Sequence, residues 1–345
     1  MRNPPKRRKP DEQTHPYQNH GAHSQRRHAR LPRGVRRAGP ASHVDIVRKD
    51  HARPDVRPQE KAIRNKILDV LDAADNSKSA DGLAERVTGP QLDVRTSELT
   101  IAKATGKMQA KAVIPRKITQ TVIPVNDGWP RTVFTITTTT DDQQSKRLLV
   151  LTQDSARDNY KLWGVARLFQ GAKLPKFEVP KLGSEMGTAK DSKLVATPAE
   201  AVNEYCDLLN SGDSSKYKKD FADDMFRGDL QKLSATVQQG MEANSGTQQQ
   251  VFTVPKDQIK IMRSADGGDL VVARIDSTWT RQAGEGRESL PASDEEKALF
   301  GGGKATSTMK VTYVNVIALW VPAAGSGQQI TAVGAERQPV KVEAL

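Results

Sequence analysis

The run Arg131-Thr-Val-Phe-Thr-Ile-Thr-Thr-Thr-Thr140 is rich in β-branched residues and follows the turn-forming triplet Asn126-Asp127-Gly128. Both features are typical of a strand that begins after a hairpin turn. Strand-like runs lie on either side of it, at Gln120 to Val125, Arg147 to Thr152 and Tyr160 to Phe169. An amphipathic helix is predicted before them, from the apolar residues Ile63, Ile67, Val70, Leu71 and Ala74. Helices followed by a run of antiparallel strands predict an α+β fold.

The same order of elements occurs a second time. Thr197 and Glu200 have the spacing of a capping box, and Pro198 suits the first position of a helix. Strand-like runs follow at Gln258 to Met262, Leu270 to Trp279, Met309 to Val321 and Gln329 to Arg337. Three pairs of segments align between the copies: Asp127-Gly128 with Gly267-Gly268, Leu148 to Leu151 with Val316 to Leu319, and Gly164 to Arg167 with Gly334 to Arg337. The chain is therefore predicted to contain a duplicated unit.

This pattern predicts an arm, two domains and a linker. The predicted boundaries are residues 1–58 for the arm, 59–172 for the first domain, 173–196 for the linker and 197–345 for the second domain. We expect Phe177 and Val179 to hold the linker against a domain surface. Residues 283–305 form an insertion in the second copy that is rich in Gly, Ser and acidic residues, which predicts a mobile loop.

The basic character of the chain is concentrated in the arm. Residues 1–60 contain 15 Lys+Arg against 6 Asp+Glu, whereas the other 285 residues contain 38 against 35. All six histidines also lie in the arm, which has too few apolar residues to form a core and is predicted to be disordered. It is a solvated tail, a polyanion-binding arm, or a product of a start assigned too early. No apolar signal segment follows its first basic cluster.

The order of elements, helices followed by a run of antiparallel strands in each copy, makes residues 60–345 resemble tandem nuclear transport factor 2-like (cystatin-like α+β cone) domains. Four segments carry a narrower resemblance: Glu85-Arg-Val-Thr-Gly-Pro-Gln-Leu, Leu148-Leu-Val-Leu-Thr-Gln, Tyr160-Lys-Leu-Trp and Ala199-Glu-Ala-Val-Asn-Glu-Tyr. They look like an uncharacterised family of exported actinobacterial proteins, many of them lipoproteins. The resemblance implies two cones, each with N-terminal helices on a curved antiparallel sheet, and a location at the cell envelope. The chain departs from that family in lacking a signal peptide and a lipidated cysteine.

Several kinds of chemistry are excluded or disfavoured by residue usage. Because residues 60–345 contain no histidine, a Ser-His-Asp triad is excluded from the predicted domains. The single cysteine, Cys206, falls on the predicted inner face of its helix and is expected to pack in a core. The acidic clusters Asp141-Asp142, Asp223-Asp224 and Asp294-Glu295-Glu296 lack the spacing of a calcium loop and are predicted to be solvated. We expect no metal and no cofactor.

Five residues are candidate ligand contacts. Arg274 and Asp276 share one face of a predicted strand, where they form a surface ion pair or, alternatively, supply a buried base. Trp129 lies in a predicted turn and is the candidate for an exposed contact. Trp163 and Trp320 lie inside predicted strands, where they pack in the core or, alternatively, stack on a ligand at the mouth of a cone.

These observations predict a non-enzymatic binding or structural protein of the bacterial cell envelope, with an unknown protein or small molecule as its partner. One alternative is a cone-type isomerase or dehydratase-like enzyme that uses Asp and Tyr, and another is nucleic-acid binding through residues 1–58. No transmembrane segment is predicted, because the longest apolar stretch, Val314 to Ala324, is about half of the roughly 20 residues that a spanning helix needs.

Overall fold

The computed structural model describes residues 56–140 and 145–345. This part of the chain contains five α-helices and nine strands. The helices are α1 (Arg57–Ser77), α2 (Gly89–Thr105), α3 (Pro198–Ser211), α4 (Met225–Glu242) and α5 (Asp294–Phe300). The strands are β1 (Ile118–Val122), β2 (Arg131–Thr137), β3 (Arg147–Gln153), β4 (Lys161–Leu168), β5 (Thr247–Thr253), β6 (Ile259–Arg263), β7 (Asp269–Gln282), β8 (Thr308–Val321) and β9 (Thr331–Ala344). The predicted α+β class is confirmed.

The strands form one sheet in the order β1-β2-β3-β4-β9-β8-β7-β5, with β6 also paired to β7. We call residues 57–168 the first half and residues 198–344 the second half. In the first half each of the strands β1 to β4 pairs with the next one along the chain, and β6 to β9 of the second half pair in the same way. The halves join where Arg167 and Leu168 of β4 pair with Ala335 and Gly334 of β9. Strand β5 was not predicted, because its three consecutive glutamines give no apolar alternation.

Each half buries one face of its strands beneath its first helix. In the first half Val133, Leu149 and Leu151 pack with residues of α1, and in the second half Val271, Ile317 and Leu319 pack with residues of α3. A third core lies on the other face and mixes both halves; its members include Phe134, Val150, Leu270, Val272 and Val316. The halves therefore share apolar contacts, while their division into two separate domains stays a prediction.

The faces of the strands support the duplication. Residues that the alignment pairs lie in corresponding cores: Leu162 faces α1 as Ala332 faces α3, and Trp163 lies with Val333 in the shared core. A register shift breaks both the β3–β4 and the β8–β9 pairings. The predicted capping box is also present, because Thr197 accepts from the Glu200 backbone N–H while the Glu200 side chain accepts from Thr197.

The insertion in the second half is folded, which corrects the expectation of a mobile loop with solvated acids. Ser293 caps α5 by accepting a hydrogen bond from the Glu296 backbone N–H. Glu296 is only 4% exposed and is bound by Arg281, whereas Asp294 remains exposed. The composition of the acidic cluster gave no sign of this, because a single buried arginine from β7 decides which of its three carboxylates turns inward.

Of the other acids predicted to be solvated, Asp223 is exposed, but the prediction is wrong for Asp224. The Asp224 side chain is 1% exposed, because it lies 2.6 Å from Arg227 Nε and caps α4 by accepting from the Arg227 backbone N–H. Asp141 and Asp142 lie outside the described residues, as does the predicted arm up to residue 55. Arg57 and Pro58 already belong to α1. In the predicted linker Phe177 packs against the shared core, whereas Val179 is exposed.

Candidate functional site

A cleft of about 630 Å³ opens between helix α1 and the strands of the first half. Its walls come from α1, from the segment that connects β1 to β2, from the strand ends beyond it and from Pro180 of the linker. Apolar side chains form its floor: Ile63, Ile123, Val133 and Leu151. A cleft of this volume with an apolar floor and a few polar groups is typical of a small-molecule site.

The strand pairing brings three polar residues to one end of this cleft. Arg131 begins β2 and pairs with Gln153, the last residue of β3. Tyr160 immediately precedes β4, whose first residue pairs with Thr152 of β3. Because the strands are antiparallel, residues that are distant in sequence meet at a single edge of the sheet. All three side chains line the cleft.

Trp129 does not line the cleft itself, but it is held in a fixed orientation by two residues that do, Gln153 and Arg131. Its indole Nε1 donates to Gln153 Oε1 at 3.2 Å, and Gln153 Nε2 donates to the Asp158 backbone carbonyl at 2.8 Å. The Arg131 guanidinium lies 4.7 Å from the centroid of the indole, a cation–π contact, and its Nε donates to the Gly128 carbonyl. Trp129 is nevertheless 44% exposed, so part of its ring surface faces solvent.

Helix α1 contributes a buried carboxylate to the wall of the cleft. Glu60 accepts from Arg64 Nε at 2.9 Å and from Thr135 Oγ1 at 3.2 Å. Arg64 also donates to the Arg116 carbonyl, which fixes the pair in place. Burial of an ion pair is tolerated only when further hydrogen bonds satisfy it, as they do here. Glu60 is therefore already occupied by partners within the protein.

The remaining charges of the cleft leave it slightly cationic. Burial raises the pKa of Tyr160 above its ordinary value, and the nearby Arg131 opposes that rise. Tyr160 thus stays protonated at neutral pH, with a hydroxyl proton that a ligand could accept. Besides Glu60 and Arg131, the lining contains the cations Lys66 and Arg86 and the carboxylates Asp127 and Asp158. Once Glu60 is neutralised by Arg64, three cations face two carboxylates.

Comparison with known families places the chain. A family model described as a domain of unknown function (DUF8094) matches residues 65–341. The chain belongs to the DUF8094 family. Searches of curated proteins and of solved structures gave no match.

The five predicted contact residues of this DUF8094 protein do not come together. Trp129 lies beside the cleft, but Trp163 is 4% exposed in the shared core, with Lys260 5.7 Å from its ring centroid. Trp320 packs partly against the same core and lines a separate groove. Arg274 binds Asp276 at 2.7 Å and Asp93 of α2 at 2.6 Å, outside the cleft.

Sequence reasoning did not single out Glu60, Arg131, Gln153 or Tyr160. A signal was present in the alignment of the DUF8094 repeat. In the strand register, Gln153 and Tyr160 correspond to the apolar residues Val321 and Ile330 of the second half. Arg131 corresponds to Asp269, which pairs with Val321 as Arg131 pairs with Gln153. A polar residue in one copy at a position that is apolar in the other indicates a place where packing does not dictate the residue.

The structure also bears on the predictions for Cys206, metal binding and membrane-spanning helices. Cys206 is buried, and burial together with the neighbouring Asp207 raises the pKa of its thiol to about 11, which fits core packing rather than a nucleophile. Within residues 56–140 and 145–345 no group of three or more His, Cys, Asp or Glu side chains could hold a metal ion. In the same ranges no helix has both the length and the hydropathy to cross a membrane.

Proposed function

We propose that the protein binds a small amphipathic ligand in the cleft beneath α1 and does not transform it chemically. The fixed, exposed indole of Trp129 beside an apolar-floored cleft carries this proposal. Gln153 and Arg131 hold the ring, so little conformational freedom is lost when a ligand packs on its open surface. Immobilised aromatic side chains are favoured contact groups in binding sites.

The lining favours a ligand with an apolar body and an acidic group. Ile63, Ile123 and Leu151 offer apolar surface. The excess of one positive charge, from Lys66, Arg86 and Arg131 against Asp127 and Asp158, favours an anion. Arg131 also begins the strand at the mouth, where it can meet a carboxylate while Tyr160 donates a hydrogen bond.

The state of the acids in the cleft supports binding over the isomerase or dehydratase alternative. Proton abstraction needs a base held close to the substrate. Glu60 is engaged by Arg64 and Thr135, and Tyr160 is kept protonated because burial raises its pKa. Asp276, the base that the alternative requires, is bound by Arg274 away from the cleft.

The proposal extends to the architecture and location that the resemblance implies. Helices α1 and α3 each cover one face of a run of antiparallel strands, an arrangement consistent with two nuclear transport factor 2-like cones. The similarity to exported actinobacterial proteins supports a place at the cell envelope. The alternative of nucleic-acid binding depends on residues 1–58, nearly all of which lie outside the described residues.

Fluorescence titration of the full chain with 1-anilinonaphthalene-8-sulfonate, an aromatic anion, tests the binding proposal. We expect saturable binding that Trp129→Ala weakens about fivefold or more and that Trp129→Phe largely preserves. Leu290→Ala is the matched control, since it removes another exposed apolar side chain outside the cleft. Equal binding by Trp129→Ala and the unmodified protein would exclude Trp129 as a ligand contact and so remove the observation that carries the proposal.

A further inference from the structure

A second cavity, of about 310 Å³, lies in the second half and contains an arginine without hydrogen-bond partners at two of its nitrogens. Arg337 of β9 places its guanidinium 3.5 Å from the ring centroid of Tyr313 and 5.6 Å from that of Trp279. Its Nε and Nη2 atoms are buried, and neither has a hydrogen-bond partner among the described residues. Stacking on two aromatic rings fixes the plane of the guanidinium without satisfying its donors.

Arg337 as a whole is partly exposed, but its two buried donors are unusual because buried N–H groups are normally hydrogen-bonded. Arg281, which lines the same cavity, shows the usual arrangement: both of its terminal nitrogens donate to the carboxylate of Glu296. Arg337 forms no such ion pair; burial lowers its pKa below the ordinary value, although Tyr313, Glu296 and Glu295 oppose that change. The free energy of the folded protein would therefore fall if an anion entered and bound this group.

The other charges of the cavity do not supply that anion. Glu296 is held by Arg281 and by Tyr313, whose hydroxyl donates to it at 3.3 Å. Glu295 accepts from Gln109 Nε2 at 2.6 Å. The lining contains three cations, Lys111, Arg281 and Arg337, against these two carboxylates. One positive charge remains uncompensated within the cavity.

We propose that this cavity binds a small monocarboxylate whose two oxygens bridge Nε and Nη2 of Arg337. These two nitrogens lie on the same edge of the guanidinium, and their parallel N–H groups match the spacing of carboxylate oxygens. The apolar side chains Leu233, Val237 and Pro339 also line the cavity and suit a short hydrocarbon body. The volume limits the ligand to a small organic acid.

The proposal requires a movement, because Nε and Nη2 are shielded from the cavity in this structure, and we assign that movement to helix α4 in the cavity wall. Leu233 and Val237 both belong to α4, and Phe226 is its single buried residue. A helix with so few buried contacts opens at a small free energy compared with the global unfolding of the protein. The shielding of Nε and Nη2 in the closed position therefore does not prevent binding.

Isothermal titration calorimetry of the full chain with sodium butyrate tests this proposal. We expect saturable binding of butyrate and none of butyramide, which has a similar shape but no charge. Arg337→Met should weaken butyrate binding tenfold or more, since charge-assisted hydrogen bonds contribute about that factor or more. Arg337→Lys keeps the charge but loses the pair of parallel N–H donors. Its butyrate affinity should lie between that of the unmodified protein and that of Arg337→Met.

Three further measurements make the outcome decisive. Thermal unfolding should show that Arg337→Met still folds with little loss of stability, because the two buried donors that it removes have no partner. Trp129→Ala should leave butyrate affinity unchanged, which separates this cavity from the cleft beneath α1. Unchanged affinity in Arg337→Met, weaker binding in Trp129→Ala, tighter binding of inorganic phosphate than of butyrate, or no saturable binding would each overturn the proposal.

Discussion

The two halves of the molecule share a strand order but differ at the place where the first half has its cleft. The residues there are Arg131, Gln153 and Tyr160, and their counterparts in the strand register are Asp269, Val321 and Ile330. The first set lines an open cleft, whereas each member of the second is at most 1% exposed. The second half thus has a packed core where the first has a cavity.

Two covering segments explain how the second half is filled. Leu194, from the linker, pairs with Ala323 and enters the core beneath α3. Phe221 pairs with Ile330 and packs 5.8 Å from the ring centroid of Tyr205. The antiparallel framework therefore does not determine whether a cleft exists. The residue types at a few strand ends, together with the segments laid over them, do so.

The largest expected effect concerns the insertion between β7 and β8, which has no counterpart between β2 and β3. Glu296→Ala would leave Arg281 buried without a partner, and we expect a loss of about 3–5 kcal/mol in the free energy of unfolding. Urea denaturation measures it. Asp294→Ala in the same helix, an exposed position, should change stability by less than about 0.5 kcal/mol. Similar values for the two variants would mean that the insertion is not packed as described.

The next effect compares equivalent positions directly. Ile330→Ala should destabilise the protein by about 2–5 kcal/mol, because it removes a fully buried side chain and leaves a cavity. Tyr160→Ala should have a much smaller effect, below about 1 kcal/mol, because Tyr160 borders a cleft that already exists. Urea denaturation of the two variants gives both free-energy changes, provided that the dependence of the free energy of unfolding on urea concentration is the same in each. If Tyr160→Ala were as damaging as Ile330→Ala, the two halves would not differ as argued.

These positions also show how far sequence reasoning reaches. The α+β class, the capping box at Thr197 and the burial of Cys206 followed from local patterns, because propensity and periodicity act over a few residues. Strand β5 and the burial of Glu296 did not follow, since both depend on partners far along the chain. Of the five predicted contact residues, Trp129 lies beside the cleft.

The smallest expected effect depends on pH. It concerns a position where the second half has the charged residue and the first half the apolar one. Glu336 of β9 occupies the position that Ala166 has in β4, and both are buried. Glu336 Oε2 lies 2.7 Å from Arg167 Nε, whereas Oε1 is buried without a hydrogen-bond partner. Burial raises the pKa of Glu336 above its ordinary value of 4.5, while the charges of Arg167, Lys111 and Arg147 oppose the rise and Glu98 adds to it.

The sign of the pH dependence follows from this raised pKa. The folded protein holds the Glu336 proton more tightly than the unfolded chain does, so its stabilising contribution is complete below about pH 4.5 and is lost as pH rises through the folded-state pKa. Glu336→Gln should therefore gain stability relative to the unmodified protein as pH rises from 4 to 7. Thermal unfolding across that range measures the difference between the two curves.

Glu343→Gln on the same strand is the matched control, with the opposite sign. A hydrogen bond from Lys341 lowers the pKa of Glu343, so the contribution of this carboxylate is present above its ordinary pKa and is lost as pH falls. Glu343→Gln should thus differ most from the unmodified protein at neutral pH, by being less stable. If stability changed with pH in the same way in Glu336→Gln and in the unmodified protein, the charge of Glu336 would have no effect on the stability of the protein.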